Sequence, residues 1–262
     1  ILVIFLPPLL IDGAYFTELT HFRRHLAGIF SLAFGAVIFT TAVVAVVAHI
    51  LMPGLPWAAC FALGAIVSPP DAVSAKAVLQ RVQLPKRLTT LLEGESLLND
   101  ATGLVLLRFA VVAAMTGTFS AAEALGTFVV LLLGGVAVGV AVGAVWLFAV
   151  RRLKDEYLSI ATSFLLCWIA YLAGEALGVS GVIATVTAGM FAGWYQHTVF
   201  SASTRMRGRA FWAVVTFLLE ASVFILIGSS LRGVVEREGG LMTVIVQQGE
   251  PLMIIIVAMI VA

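Results

Sequence analysis

Nine long apolar stretches divide the chain and constrain its fold more strongly than any other feature. They cover residues 1–16, 26–51, 57–80, 88–115, 122–150, 158–177, 180–197, 208–231 and 242–262. A helix needs roughly 20 residues to cross a bilayer, whereas a barrel strand needs only about 10. Because the backbone polar groups of a segment in lipid must be satisfied internally, we interpret each stretch as a helix. The chain is therefore predicted to be all-α, a polytopic membrane protein built as a helical bundle.

Basic residues alternate between the connections that join these stretches. Eleven Lys and Arg residues lie in the segments 21–25, 81–87, 151–156 and around 205–209, against two in the intervening connections. The positive-inside rule predicts that the basic segments lie in the cytoplasm. The hydrophobic share of 61% and the charged share of 11% exclude a soluble domain of this length. The basic loops are short and fit the topology, so nucleic-acid binding has no support.

The fourth stretch carries side chains that a membrane helix normally avoids, because a charge at the bilayer centre costs about 2.5–3.5 kcal/mol on insertion scales. Its charged and amide residues are Glu93, Glu95, Asn99, Asp100 and Arg108. On a helix Ser96 lies one turn before Asp100, and Glu95 lies one turn before Asn99. Carboxylate, amide and hydroxyl oxygens suit a hard cation, and Asp100 can also hold a proton. The alternative is a polar zipper that only joins helices.

Two prolines interrupt the third stretch, which runs over residues 57–80. Pro69 and Pro70 remove two backbone donors at mid-membrane depth and predict a broken helix. Such a break is tolerated only where it lines a cavity or is buried in protein. Asp71 follows directly, where a second half-helix would begin, and half-helix ends are suited to binding ions. The alternative is a kinked structural helix with Asp71 as its N-cap.

The SPPDA segment at residues 68–72, followed by EGESLLNDATG at residues 93–103, resembles the sodium/proton exchangers of the monovalent cation:proton antiporter superfamily. The similarity is to the bacterial NhaP-like branch with the Asn-Asp motif. It covers nearly the whole chain, with support from LPPLLIDGA, LGVSGVIATVTAGM and FLLEASVFILIGSSL. The resemblance implies part of an inverted-repeat antiporter fold. It also implies a transporter, not an enzyme, which exchanges Na⁺, or Li⁺ or K⁺, for H⁺ by alternating access.

The resemblance also implies a role for each residue of the ion site. Asp100 matches the ion-binding and proton-carrying carboxylate, and Asn99 matches its amide neighbour. Asp71 matches the acid at the broken helix, and Ser96 a hydroxyl that contributes to the shell of the bound Na⁺. Competition of Na⁺ and H⁺ for Asp100 would couple the two fluxes. The single Asp in the Asn-Asp pair implies one proton per ion, and no cofactor is expected beyond the transported ions.

Three further residues are expected to support this site. Asp12 lies where the family often has a Glu, Pro70 forms the break, and Glu95 is expected to pair with a basic residue on a second broken helix. That basic residue would follow Ala262. We therefore expect residues 1–262 to be a single transmembrane exchanger domain that is truncated at both ends and incompetent for transport alone. The other partners implied are the lipid bilayer and a second copy in a homodimer, in the bacterial inner membrane, with a role in pH regulation.

Two other classes of membrane protein are alternatives to an exchanger. A passive cation channel would use the acids as a selectivity site and would carry current. Residues 178–181 spell G-x-S-G, the serine motif of rhomboid-type intramembrane proteases, but the histidines are poor partners for Ser180. Ser180 is better interpreted as a helix N-cap. Arg108 and Glu220 remain as intramembrane charges whose partners the sequence does not identify.

Small residues without chemistry are expected to serve packing. The run GGVAVGVAVG at residues 134–143 does not follow a strand, so it is interpreted as a close helix contact and not as a phosphate-binding loop. Cys60 and Cys167 both lie in apolar stretches and are expected to be small buried residues without a disulfide.

Overall fold

The computed structural model describes residues 2–17, 22, 24–70, 86–116 and 121–237. Within these ranges the chain forms eight helices and no strand, which confirms the predicted all-α class. The helices are α1 (Leu2–Phe16), α2 (Leu26–Leu51), α3 (Trp57–Val67), α4 (Lys86–Thr116), α5 (Ala121–Val150), α6 (Glu156–Ala176), α7 (Gly181–Val199) and α8 (Ala202–Arg237). Each of the first eight predicted stretches corresponds to one of them. The ninth, residues 242–262, lies outside the described residues.

Several helices have the dimensions of membrane spans. On length and composition, α2, α5, α6 and α8 are each able to cross a membrane. The charged helix α4 has 31 residues and is about 46 Å long at 1.5 Å per residue. α2 contains a π-helical turn at Ser31–Ala36, and such turns occur frequently at functional sites.

Five helices, α1 and α5 to α8, pack together into what we call the scaffold bundle. Its core contains Ile11, Trp146, Leu166, Ala188 and Trp212, one from each helix. The glycines of α5 approach α7 closely, as predicted for the 134–143 run. A Cβ on Gly135 would lie 2.9 Å from the carbonyl oxygen of Ser180, and one on Gly139 would lie 2.5 Å from that of Ala184. These contacts leave no room for side chains.

The remaining helices, α2, α3 and α4, form what we call the site bundle. The first half of α2, which includes the π-helical turn, packs on α4, where Ile29 and Ala33 are buried against Leu98. The other half of α2 packs on α3 around Cys60, which is fully buried. Cys167 is equally buried in the scaffold bundle, and both cysteines are free thiols, as predicted.

The two bundles meet through α4, which touches α1 and α7 over short stretches, and through Phe34 of α2, whose ring packs edge-on against Phe128 of α5 at 5.4 Å. Leu104 of α4 packs against a scaffold cluster that includes Tyr171 and Ile183. Met190 of α7 packs against both this cluster and the one around Leu98. The contact between the bundles is therefore narrow and largely apolar.

The basic connections described by the structure lie at one end of the bundle. Glu156, which begins α6, pairs with Arg207 near the start of α8 at 3.0 Å. Arg209 lies over the ring of Phe16, which ends α1, at 5.3 Å. These two contacts bring the end of α1, the start of α6 and the start of α8 together. The alternation along the whole chain and the cytoplasmic assignment of this end stay predictions.

One predicted boundary is wrong. The segment with Arg205, Arg207 and Arg209 was expected to be a loop before a helix at residue 208, but α8 begins at Ala202 and includes all three. Its start is stabilised by Ser201, whose Oγ accepts a hydrogen bond of 3.1 Å from the Thr204 N–H.

Candidate functional site

The first half of the broken span ends at Val67, directly before Pro69 and Pro70. The residues that follow, including Asp71 and the predicted second half-helix, lie outside the described residues. The second half-helix, after the break, therefore stays a prediction. For the first half, the cause of the helix end is clear, because Pro69 and Pro70 have no N–H with which to continue the ladder.

Hydroxyl groups fix the end of α3 against α2. Ser68 Oγ donates 2.7 Å to the carbonyl oxygen of Gly64, so the 2.9 Å bond between Ser68 and Thr41 has Thr41 Oγ1 as its donor. Both side chains are buried. Gly64 has no room for a side chain, because the Thr41 backbone lies against it. The last turn of α3 is thus bonded to a neighbouring helix.

On its other side the end of α3 packs on α4 at Gly103. A Cβ at this position would contact Pro69 Cγ and would lie 3.2 Å from the carbonyl oxygen of Ala65. Gly103 is the last residue of the EGESLLNDATG segment. The glycine therefore lets the site helix approach the proline break more closely than any other residue would allow.

Asn99 connects α4 to the residues of the break. Its side chain is completely buried, with 0% relative exposure. Its Nδ2 group donates 3.0 Å to the carbonyl oxygen of Pro70 and 3.2 Å to Oε1 of Glu95. Its Oδ1 atom has no hydrogen-bond partner within the described part of the chain. A buried acceptor without a donor is costly, so this oxygen is a candidate ligand for a cation.

Glu95 and Ser96 lie on the same turns of α4. Glu95 is buried, and its observed partner is Asn99 one turn later, as the helical spacing predicted. Its predicted basic partner beyond Ala262 is a separate expectation and stays one. Ser96 is half-buried. The Asp100 backbone continues α4 directly after Asn99, while the side chain of Asp100 lies outside the described residues.

Asp12 occupies a different position from these residues. It lies on α1, in the scaffold bundle, and is half-buried. α1 is one of the scaffold helices that touch the site helix α4. Its predicted supporting role stays a prediction.

An ion pair that the sequence did not predict joins the two bundles. Arg108 Nη2 on α4 donates 3.4 Å to Oε2 of Glu175 on α6. Oε1 of Glu175 accepts a bond of 3.3 Å from the Gly181 N–H at the start of α7. The sequence did not predict which residue pairs with Arg108, and Glu175 was not among the candidate residues. A charged residue inside the 158–177 stretch was the available signal.

The G-x-S-G segment forms a turn between α6 and α7. Gly178 has a φ of +71°, and Ser180 Oγ accepts 3.3 Å from the Ile183 N–H. Ser180 is therefore the N-cap of α7, as predicted. This structural role accounts for the serine without a protease.

The described part of the site gathers oxygen atoms of three kinds around the buried side chain of Asn99. The Pro70 carbonyl, the Asn99 amide and the Glu95 carboxylate are hydrogen-bonded neighbours. Hard cations such as Na⁺ take oxygen ligands of this kind, and a buried carboxylate also exchanges protons. Asn99 Oδ1 accepts no hydrogen bond from the described residues and is therefore a candidate cation ligand among these oxygens.

The whole chain, residues 1–262, matches the family described as the transmembrane sodium/hydrogen exchanger. The chain belongs to this family. The sodium, potassium, lithium and rubidium/H⁺ antiporter of Bacillus subtilis (strain 168) is 36% identical over 240 residues, which are 89% of this chain and 36% of that protein. The Na⁺/H⁺ antiporter NhaS2 of Synechocystis sp. (strain ATCC 27184 / PCC 6803 / Kazusa) is 33% identical over 228 residues, which are 87% of this chain and 42% of that protein.

The fold is similar to that of a solved exchanger-family structure. The sodium proton antiporter MjNhaP1 from Methanocaldococcus jannaschii at pH 8 superposes with a TM-score of 0.66 at 21% identity, covering 83% of this chain and 53% of that one. The chain thus spans less than half the length of these curated relatives and about half of the solved structure. Family membership and the membrane-length helices make it a multi-pass membrane protein, and the bacterial relatives indicate the cell membrane.

Proposed function

We propose that the whole protein exchanges a monovalent cation, Na⁺ in the first place, for H⁺ across the membrane by alternating access. The proposal is supported by family membership and by the names of the relatives, which are sodium/proton antiporters. The observation that carries it is the buried Oδ1 atom of Asn99, which has no hydrogen-bond partner in the described part of the site. Asp100 is the next residue in the chain.

Asp100 carries either the proton or the cation in this proposal. When its carboxylate is deprotonated, it binds dehydrated Na⁺ together with Ser96, Asn99 Oδ1 and Asp71 at the broken helix. When it is protonated, the charge that attracts Na⁺ is gone. The two ions therefore exclude one another, and this exclusion couples their fluxes. No cofactor takes part, since Na⁺ and H⁺ are the substrates.

The finer assignments are proposals of the same kind. The Asn-Asp pair at residues 99 and 100 is the reason for proposing the NhaP-like branch with one proton per cation. The name of the Bacillus subtilis relative includes potassium, lithium and rubidium as well as sodium, so the proposed cation class is monovalent. A homodimer in a bacterial inner membrane and a role in pH regulation are proposed from the resemblance to the family.

The test uses the whole protein in proteoliposomes that carry a pH gradient. Addition of Na⁺ is expected to dissipate the gradient, and Asp100→Asn is expected to abolish this response, because an amide neither carries a proton nor balances the charge of Na⁺. Asp155→Asn is the matched control, since Asp155 is the N-cap of α6 at the basic end. Na⁺ current without proton movement would overturn the proposal and favour a channel.

A further inference from the structure

The Arg108–Glu175 ion pair is the polar bridge that we find between the site bundle and the scaffold bundle at the end away from the basic connections. Arg108 lies on α4, and Glu175 lies in the last turn of α6. The side chains are 62% and 36% exposed, so they are accessible and not locked in a core. The pair is joined at 3.4 Å, which is long for a hydrogen bond between charged groups, and this suits a contact that forms and breaks.

The two partners of the pair are held very differently. Glu175 is fixed to the scaffold, because its second oxygen accepts the Gly181 N–H and because Gly174 lies against Gly181, where a Cβ would be 2.8 Å from the Gly181 Cα. Arg108 reaches across from α4 by a long flexible side chain. Between the bundles, Leu104 and Met190 make apolar contacts, and methionine adapts readily to a changed neighbour. Among the described residues, the interface therefore combines this specific ion pair with adaptable apolar contacts.

The position of Arg108 on α4 links this contact to the site. Arg108 follows Asn99 by nine residues, so it lies about 13 Å further along the helix, toward Thr116 and away from the basic end. A movement of the site bundle relative to the scaffold carries Arg108 with the site. The pair is therefore placed to influence which side of the membrane the site faces.

We propose that Arg108 and Glu175 form a latch that holds the site bundle against the scaffold bundle at the end away from the basic connections, and that it opens and closes in each transport cycle. This inference rests on the proposed exchange function and adds two positioning residues to it. Neither residue is assigned contact with the transported ion. Breaking the latch is expected to shift the balance between the two access states without removing the ion site.

The test compares Arg108→Gln and Glu175→Gln with the double exchange Arg108→Glu/Glu175→Arg in proteoliposomes of the whole protein. Each single variant is expected to change the half-saturating Na⁺ concentration by about threefold or more, in opposite directions on the two membrane faces. The double exchange restores the charge pair but not the bond from the Gly181 N–H, so the ratio of the values on the two faces should return to within about twofold of that in the unaltered protein. A ligand-site defect would instead weaken binding on both faces.

The matched control is the Glu156–Arg207 pair, which joins α6 to α8 inside the scaffold bundle at 3.0 Å. Glu156→Gln and Arg207→Gln are expected to leave the two faces equal. If the latch variants behave like this control, or change both faces alike, while the unaltered protein exchanges Na⁺ for H⁺, the latch is wrong and the proposed function stands.

A second measurement separates the latch from the proposed function. In a background with Cys60→Ala and Cys167→Ala, Arg108→Cys and Glu175→Cys are joined by a bifunctional thiol reagent. A cross-linking yield that changes with Na⁺ or pH supports an opening contact even if no exchange is measured. A yield that is constant under all conditions overturns the latch.

Discussion

The side-chain amide of Asn99 donates a 3.0 Å hydrogen bond to the carbonyl oxygen of Pro70, just beyond the end of α3. Pro70 follows the last helical residue, Val67, by three positions, and its carbonyl has no place in a regular helical ladder. One N–H of Asn99 satisfies it, and the other N–H bonds Glu95. Asn99 therefore fixes the break and a buried acid at the same time, which is a reason for an amide at this position that is independent of ion binding.

We expect Asn99→Leu, which keeps the approximate volume, to destabilise the protein by about 2–4 kcal/mol, because it removes two hydrogen bonds and leaves the buried Glu95 carboxylate without this donor. Thermal unfolding of the whole protein in detergent measures the effect. The matched variant Asn99→Asp keeps the shape but replaces the donor by a carboxylate that faces Glu95. Its stability should recover in acidic buffer, where a protonated carboxyl group again supplies one donor. Unchanged stability of the Leu variant would contradict these hydrogen bonds.

Gly103→Ala is expected to push the end of α3 away from α4, because the added Cβ contacts Pro69 and the carbonyl of Ala65. Overpacking of this kind costs about 1–3 kcal/mol, and we expect a loss of exchange rate larger than the loss of folded protein. Gly126→Ala is the control, since a Cβ on that exposed helical glycine meets nothing within 4 Å. It should be neutral or stabilising by up to about 1 kcal/mol. Equal behaviour of the two variants would remove the role assigned to Gly103.

The positions of the helices were predictable because lipid allows few alternatives. The second stretch was predicted over residues 26–51, and α2 has those bounds. The end of α3 followed from Pro69 and Pro70. The start of α8 differs from the predicted boundary because arginine is a good helix former and Ser201 is a favoured N-cap. The three arginines predict a connection, whereas the N-cap at Ser201 starts the helix before them.

The site was predictable along one helix and not between helices. The contact of Glu95 with Asn99 follows from a spacing of four residues, and it was confirmed at 3.2 Å. The contact of Asn99 with Pro70 depends on how α3 and α4 rotate and cross, which no single-helix pattern determines. The same holds for Arg108 and Glu175, which are 67 residues apart in the chain. A single sequence identifies residues able to make such contacts but does not determine which residues pair with one another.

The hydroxyl chain from Thr41 through Ser68 to the Gly64 carbonyl is expected to behave as one unit. Thr41→Val and Ser68→Ala should each cost about 0.6–2 kcal/mol, as interhelical hydrogen bonds in membrane bundles do. The double variant should cost less than the sum, because removing Ser68 already leaves the Thr41 donor without its acceptor. Unfolding of the four proteins of this cycle in detergent measures the coupling. Strict additivity would show that the 2.9 Å contact is not a hydrogen bond.

Trp168 is expected to replace the backbone hydrogen bond that Pro7, the first of the two prolines in α1, removes. Pro7 has no N–H, so the carbonyl of Val3 one turn earlier loses its helical partner, and Trp168 Nε1 donates 3.2 Å to that oxygen. Trp168→Phe, which keeps an aromatic ring beside Phe164, should cost about 1–3 kcal/mol because the carbonyl is left unsatisfied. In a Pro7→Ala background the restored amide can bond Val3 itself, so the same substitution should cost less. Unfolding of the single and double variants in detergent measures the difference. An equal cost in both backgrounds would mean that the indole contributes packing alone.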